Sequence, residues 1–121
     1  MADTTANRLA TNFIASYERA WWQGADAAAE LYTADGVLVG FTTALGRDEI
    51  RKTLRSIMDQ GWTQIKMRVV DARRVGGVVA MANEYTAIGS GAMEGKTRDA
   101  TSSHVLVEVD GEWLSTLHTA R

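Results

Sequence analysis

Large apolar residues recur at every fourth position near the start of the chain, at Leu9, Phe13, Tyr17 and Trp21, and Ala10 and Ile14 widen the stripe. That is the arc of a helix laid against a core. The pattern predicts a first helix from about Ala6 to Gln23, stopped at Gly24. A short second helix follows, capped by Asp26 and running through Ala27, Ala28, Ala29, Glu30 and Leu31 to Tyr32. Ala34, Asp35 and Gly36 read as a turn, Val37 to Val39 as a short strand buried on both faces, and Thr42 to Leu45 as a loop. Asp48 and Glu49 then sit where a helix dipole favours negative charge. Ile50, Leu54, Ile57 and Met58 give that third helix its apolar stripe as far as Gly61.

After Gly61 the apolar period drops from about four to two. Ile65, Met67 and Val69 alternate with Gln64, Lys66 and Arg68, whereas Val70 and Ala72 carry the opposite parity. A bulge near Val69 or Val70 that bends the strand accounts for the switch. Gly76 and Gly77 form a two-residue hairpin turn into a strand from Val78 to about Ile88. Ser90 to Gly95 is a longer loop, Thr97 to Val109 the next strand, and Asp110 with Gly111 the turn into a last strand from Glu112 to about Thr119. Three helices followed by a four-strand meander imply an α+β fold, with a curved antiparallel sheet wrapped around the helices and a pocket at its open end. All 121 residues are expected to form one domain.

Composition narrows the chemistry. Apolar residues make up 45 % of the chain and charged residues 23 %, enough for a core and too mixed in charge for disorder. A net charge of -2 gives no general footprint for nucleic acid or an anionic membrane. Without cysteine there are no disulfides, zinc–thiolate sites or thiol nucleophile. No apolar run approaches the length of a membrane span and the start of the chain does not read as a secretion signal, so a soluble cytoplasmic protein is expected. Phosphate loops, dinucleotide fingerprints, nucleophile elbows and metal-binding spacings are missing, so no cofactor or metal is expected.

The segments WWQGADAAAELYTADGVLV, LGRDEIRKTLRSI and VLVEVDGEWLSTLHTA, in this order and spacing, resemble the nuclear-transport-factor-2-like superfamily, in its SnoaL-like and SgcJ/EcaC-like branches. The likeness runs from about Arg8 to Thr119. It implies a cone-shaped α+β fold, related to the cystatin-like folds, and a homodimer through the outer sheet face. The pocket it implies is one used by isomerases, cyclases and dehydratases as well as by non-enzymatic association domains. The superfamily's steroid isomerases place a carboxylate base at the end of the first strand. Here Gly40, Phe41 and Thr42 stand there instead.

The two histidines are the groups suited to moving protons near neutral pH. A two-residue turn at Asp110 and Gly111 sets Leu106 opposite Ser115, His104 opposite Leu117 and His118 opposite Ser103, and so turns the histidines to opposite faces. The face holding His104, Leu106, Glu108, Trp113, Ser115 and Leu117 is expected to line the pocket. The face of Val105, Val107, Val109, Leu114, Thr116 and His118 is expected to form the dimer contact. His104 and Tyr17 are the candidate catalytic residues, and Trp21, Phe41, Met58, Asn83, Tyr85, Leu106 and Trp113 the candidate pocket wall. Their expected partner is a small apolar organic ligand, undergoing isomerisation, cyclisation or dehydration. The alternative is a non-catalytic ligand-binding or homodimerisation module.

Overall fold

The computed structural model describes residues 4–121. Helix α1 (Thr4–Gln23) buries Ala6, Ala10, Phe13, Ile14, Tyr17, Ala20 and Trp21, while Trp22, one position round, stays exposed. Gly24 ends α1 and directly precedes the one-turn α2 (Ala25–Ala29), which Asp26 enters in its first turn and does not cap. Strand β1 (Tyr32–Val39) starts earlier than the periodicity suggests, so Tyr32 belongs to the sheet and not to a helix. The local reading fails because β1 is interrupted. Residues 33–36 on β1 stand against Thr116 alone on the neighbouring strand, which leaves the Ala34 to Gly36 segment looped out like a turn.

Residues Thr43–Leu45 form a three-residue strand β2 rather than a loop, paired antiparallel with β1. Helix α3 (Arg47–Asp59) buries Ile50 and Leu54. Four long strands follow: β3 (Trp62–Val75), β4 (Val78–Gly89), β5 (Thr97–Val109) and β6 (Glu112–Ala120), with one 3-10 turn at Gly91–Met93 in the β4–β5 loop. The spatial order is β2-β1-β6-β5-β4-β3. The sheet is antiparallel except where β1 lies parallel to β6. The expected bulge in β3 is present: Val69 pairs with Asn83 and Asp71 with Ala82, leaving Val70 unpaired and exposed.

This curved, unclosed sheet carries α1 across its concave face, and the core lies between them. On the edge strand β3, the backbone amide of Met67 donates to the Glu18 carboxylate of α1 over 2.7 Å, which occupies a donor that an open edge would offer to another strand. The β4–β5 loop folds back so tightly that a Cβ on Gly89 would lie 2.2 Å from the Met93 carbonyl oxygen and 2.9 Å from its carbonyl carbon. Gly89→Ala is therefore expected to destabilise the protein by about 1–3 kcal/mol, the usual cost of overpacking a site that backbone borders. A urea midpoint equal to that of the unaltered protein would contradict this close approach.

Candidate active site

Between β5 and β6 the register slips by one residue. Leu106 pairs with Ser115, yet Val105 pairs with Leu117, so Thr116 is an extra residue on β6. Side chains alternate between faces along a strand, and one inserted residue reverses the parity of everything beyond it. His118 is thereby turned onto the concave face directly opposite His104, while Leu117 moves to the outer surface. The expectation that the histidines face opposite ways is corrected by this bulge: their rings stack at 3.9 Å between centroids with 16° between planes.

His118 ends a buried chain of hydrogen bonds. Its Nδ1 lies 2.7 Å from the Tyr32 hydroxyl, which lies 2.5 Å from the Tyr17 hydroxyl. Helix α1 supplies Tyr17, β1 supplies Tyr32 and β6 supplies His118. Tyr32 is fixed through its own backbone: its carbonyl accepts from Nε and Nη2 of Arg47 at 3.1 and 2.6 Å. In the layer behind, Nδ1 of His104 lies 2.8 Å from Ser115 Oγ, and that hydroxyl donates to the Leu117 carbonyl. The serine proton is committed there, so the His104 Nδ1–H is the donor in that pair.

Burial disfavours charge on every one of these rings. It pushes the His118 pKa down from 6.5 to about 3, and it holds His104 well below the ordinary range, with the His118 ring beside it adding to the effect. Both tyrosine hydroxyls are pushed up, Tyr17 by burial and Tyr32 by burial and then by Tyr17. All four groups are neutral at physiological pH.

His118 and Tyr17 line a cavity of about 360 Å³. Trp21, Leu38, Ile57, Trp62, Ile65 and Met67 supply apolar wall, Tyr85, Gln60 and Ser102 supply isolated polar groups, and Gly40, Phe41 and Thr42 lie at the mouth. Trp21 is held in place by its indole N–H, which donates to the Trp62 carbonyl over 3.0 Å. A mostly apolar cavity with a few convergent polar groups is the usual form of a small-molecule site. No cluster of three or more His, Cys, Asp or Glu able to hold a metal occurs among the described residues.

The SnoaL-like domain model matches residues 7–118. The chain belongs to the SnoaL-like domain family. Among curated proteins, none matches its sequence. Solved structures similar to this SnoaL-like domain share its fold at low identity. A domain of unknown function with a cystatin-like fold from Nostoc punctiforme has a TM-score of 0.78 at 21 % identity, over 98 % of this chain and 78 % of that one. A ketosteroid isomerase-like protein from Erwinia carotovora atroseptica has a TM-score of 0.77 at 16 % identity, over 98 % and 96 %. Aln2 from a Streptomyces species has a TM-score of 0.80 at 15 % identity, over 100 % and 93 %.

Of the residues singled out in the sequence, Tyr17, Trp21, Phe41 and Tyr85 line the cavity of this SnoaL-like domain. His104, Asn83 and Leu106 share its concave face but sit too deep to reach the space, and α1 covers them, with Phe13 edge-on to the His104 ring at 5.1 Å. Met58 packs half-buried against the core from α3. Trp113 lies beyond the cavity, with the Arg74 guanidinium 5.5 Å above its ring. Sequence reasoning missed Tyr32, hidden by the interrupted strand, and set His118 on the wrong face.

Acid stability follows from the depressed imidazoles. Between its folded and ordinary values a buried histidine binds fewer protons in the folded state than in the unfolded chain. Stability therefore rises with pH across that window, by up to about 1.4 kcal/mol per pH unit for each such histidine. It is present in full above 6.5 and is lost progressively towards about 3 for His118. The urea midpoint of the SnoaL-like domain should be flat above about pH 7 and fall steadily below 6.5. A midpoint unchanged down to about pH 4.5 would show that the rings are not desolvated.

Proposed function

We propose that this SnoaL-like domain binds a small, largely apolar organic molecule and isomerises it by cofactor-independent proton transfer, with His118 and Tyr17 in contact with the substrate and Tyr32 joining them. The observation that carries the reading is the unbroken Tyr17–Tyr32–His118 hydrogen-bond chain, whose two ends both border the cavity. Tyr32 takes Nδ1 of the His118 ring, which leaves Nε2 as the nitrogen outside the chain.

A neutral relay fits this burial. His118 Nε2 takes a proton from an activated carbon of the substrate, Nδ1 passes its proton to Tyr32, Tyr32 passes one to Tyr17, and Tyr17 delivers one to a substrate oxygen or a second carbon. One proton leaves the substrate and one returns, and the imidazole ends as its other neutral tautomer. No ion is formed inside the protein, so the desolvation that makes His118 a weak base when it must hold a charge does not oppose the shift. Cyclisation and dehydration of the kind expected from the sequence use the same two groups.

A β,γ-unsaturated cyclic ketone is a direct probe, since its conversion to the conjugated isomer is followed by ultraviolet absorbance. Turnover is expected to be independent of pH between about 5 and 9, and His118→Gln and Tyr32→Phe should each lower it by about a hundredfold with the fold retained. A rate no greater than that in buffer, or one indifferent to both substitutions, would overturn the catalytic reading.

One observation favours the alternative of a binding module: among the described residues no Asp or Glu lines the cavity. Ketone binding without isomerisation would support it. Assembly is proposed separately. On the outer face an apolar ladder crosses four strands, Val37 beside Leu117, Leu117 beside Val105, Val105 beside Ala80, with Val107 between Val78 and Leu114. Leu117 and Val109 are 37 % and 40 % exposed there. Such a patch suits a second copy of the chain across a two-fold axis. Light scattering should show a dimer at micromolar concentration that Val107→Glu converts to monomer, and a monomeric unaltered protein would remove this assembly.

A further inference from the structure

We infer that the cavity selects organic acids, taking the apolar body of the ligand inside and its carboxylate at the mouth, on Arg98. The inference rests on the reading of the cavity as a ligand site and adds the charge class of what enters it. Among the described residues the charged side chains bordering the cavity are Arg98 and Arg121, both basic, in a chain whose net charge is -2.

Arg98 shares its strand parity with Ser102 and His104 and so belongs to the concave side of β5. Its guanidinium lies 5.0 Å from the centre of the Phe41 ring, an arrangement that holds a cation over an aromatic face while leaving its N–H groups free to bond. Phe41 itself is 89 % exposed. Two acids on the same and the facing strand are engaged elsewhere: Asp99, next to Arg98 in sequence, accepts from Thr86 Oγ1 over 2.7 Å, and Glu84 pairs with Arg68. Among the described residues Arg98 has no ion-pair partner. Its field reaches the cavity's polar wall, where it draws the Tyr85 pKa down against the stronger upward effect of burial. A guanidinium presents a planar fork of donors that matches a carboxylate, and apolar wall begins immediately inside it.

Naphthoic acid and its amide have nearly the same shape and differ in charge at neutral pH, so calorimetric titration of the two isolates the effect. At low ionic strength naphthoate should bind about fivefold more tightly than naphthamide, the scale of an exposed ion pair, and the ratio should shrink as salt is added. Arg98→Gln should bring the ratio close to one, whereas Arg74→Gln, which removes the same charge beyond the cavity, should leave it standing. Equal affinities in the unaltered protein, a ratio that survives Arg98→Gln, or one lost with Arg74→Gln would each overturn the inference while leaving the cavity a ligand site. Failure of both probes to bind would remove the ligand-site reading and the inference together.

Discussion

Three side chains from three different elements satisfy one another at the centre of this molecule, and the placement of the helices on the sheet depends on it. Tyr17, Tyr32 and His118 are each buried, and each has a polar atom that would be costly to leave unpaired. A buried donor or acceptor without a partner costs about 1–3 kcal/mol, more than a satisfied hydrogen bond contributes. The chain therefore acts chiefly by exclusion. A shift of α1 along the sheet, or of β1 along β6, would leave at least one hydroxyl stranded. Arg47 extends the constraint to α3 by gripping the Tyr32 carbonyl.

Around that polar line the packing is aromatic. The Tyr17 ring meets Phe13, Trp21, Tyr32, His104 and His118, with ring centres between 5.7 and 6.1 Å apart. The stacked imidazoles behave as part of this apolar mass while they stay neutral, and their depressed pKa values express the same fact in protons. The interior thus holds its polar groups without accumulating charge, and the cations of the cavity are left to the exposed rim, where water can share the cost of holding them.

Much of this architecture is legible in the sequence because it is local. The four-residue step in α1, the change of period after Gly61, the β3 bulge announced by Val70 and Ala72, and the turns at Gly76–Gly77 and Asp110–Gly111 are all written in neighbouring residues. What was not legible is pairing between distant strands. Nothing within residues 112–120 shows that Thr116 is an extra residue, since the cause lies in how β6 must meet β1 on one side and β5 on the other. One unseen residue of slip was enough to misplace His118 and Leu117. Tyr32 was missed for a related reason, because a strand broken after its first two residues has no periodicity to read.

The bulge at Thr116 has an evolutionary meaning as well. It separates β6 into two segments with independent phase, the first set by the turn at Asp110 and the second by the neighbour β1. Loss of the Thr116 codon would remove the extra residue and leave Ser115 opposite Leu106, Leu117 opposite Val105 and His118 opposite His104 in plain alternation. Descendants of the two lengths would present the same interior wall, so at this position the length of the strand and the identity of the side chains it turns inward are free to vary independently.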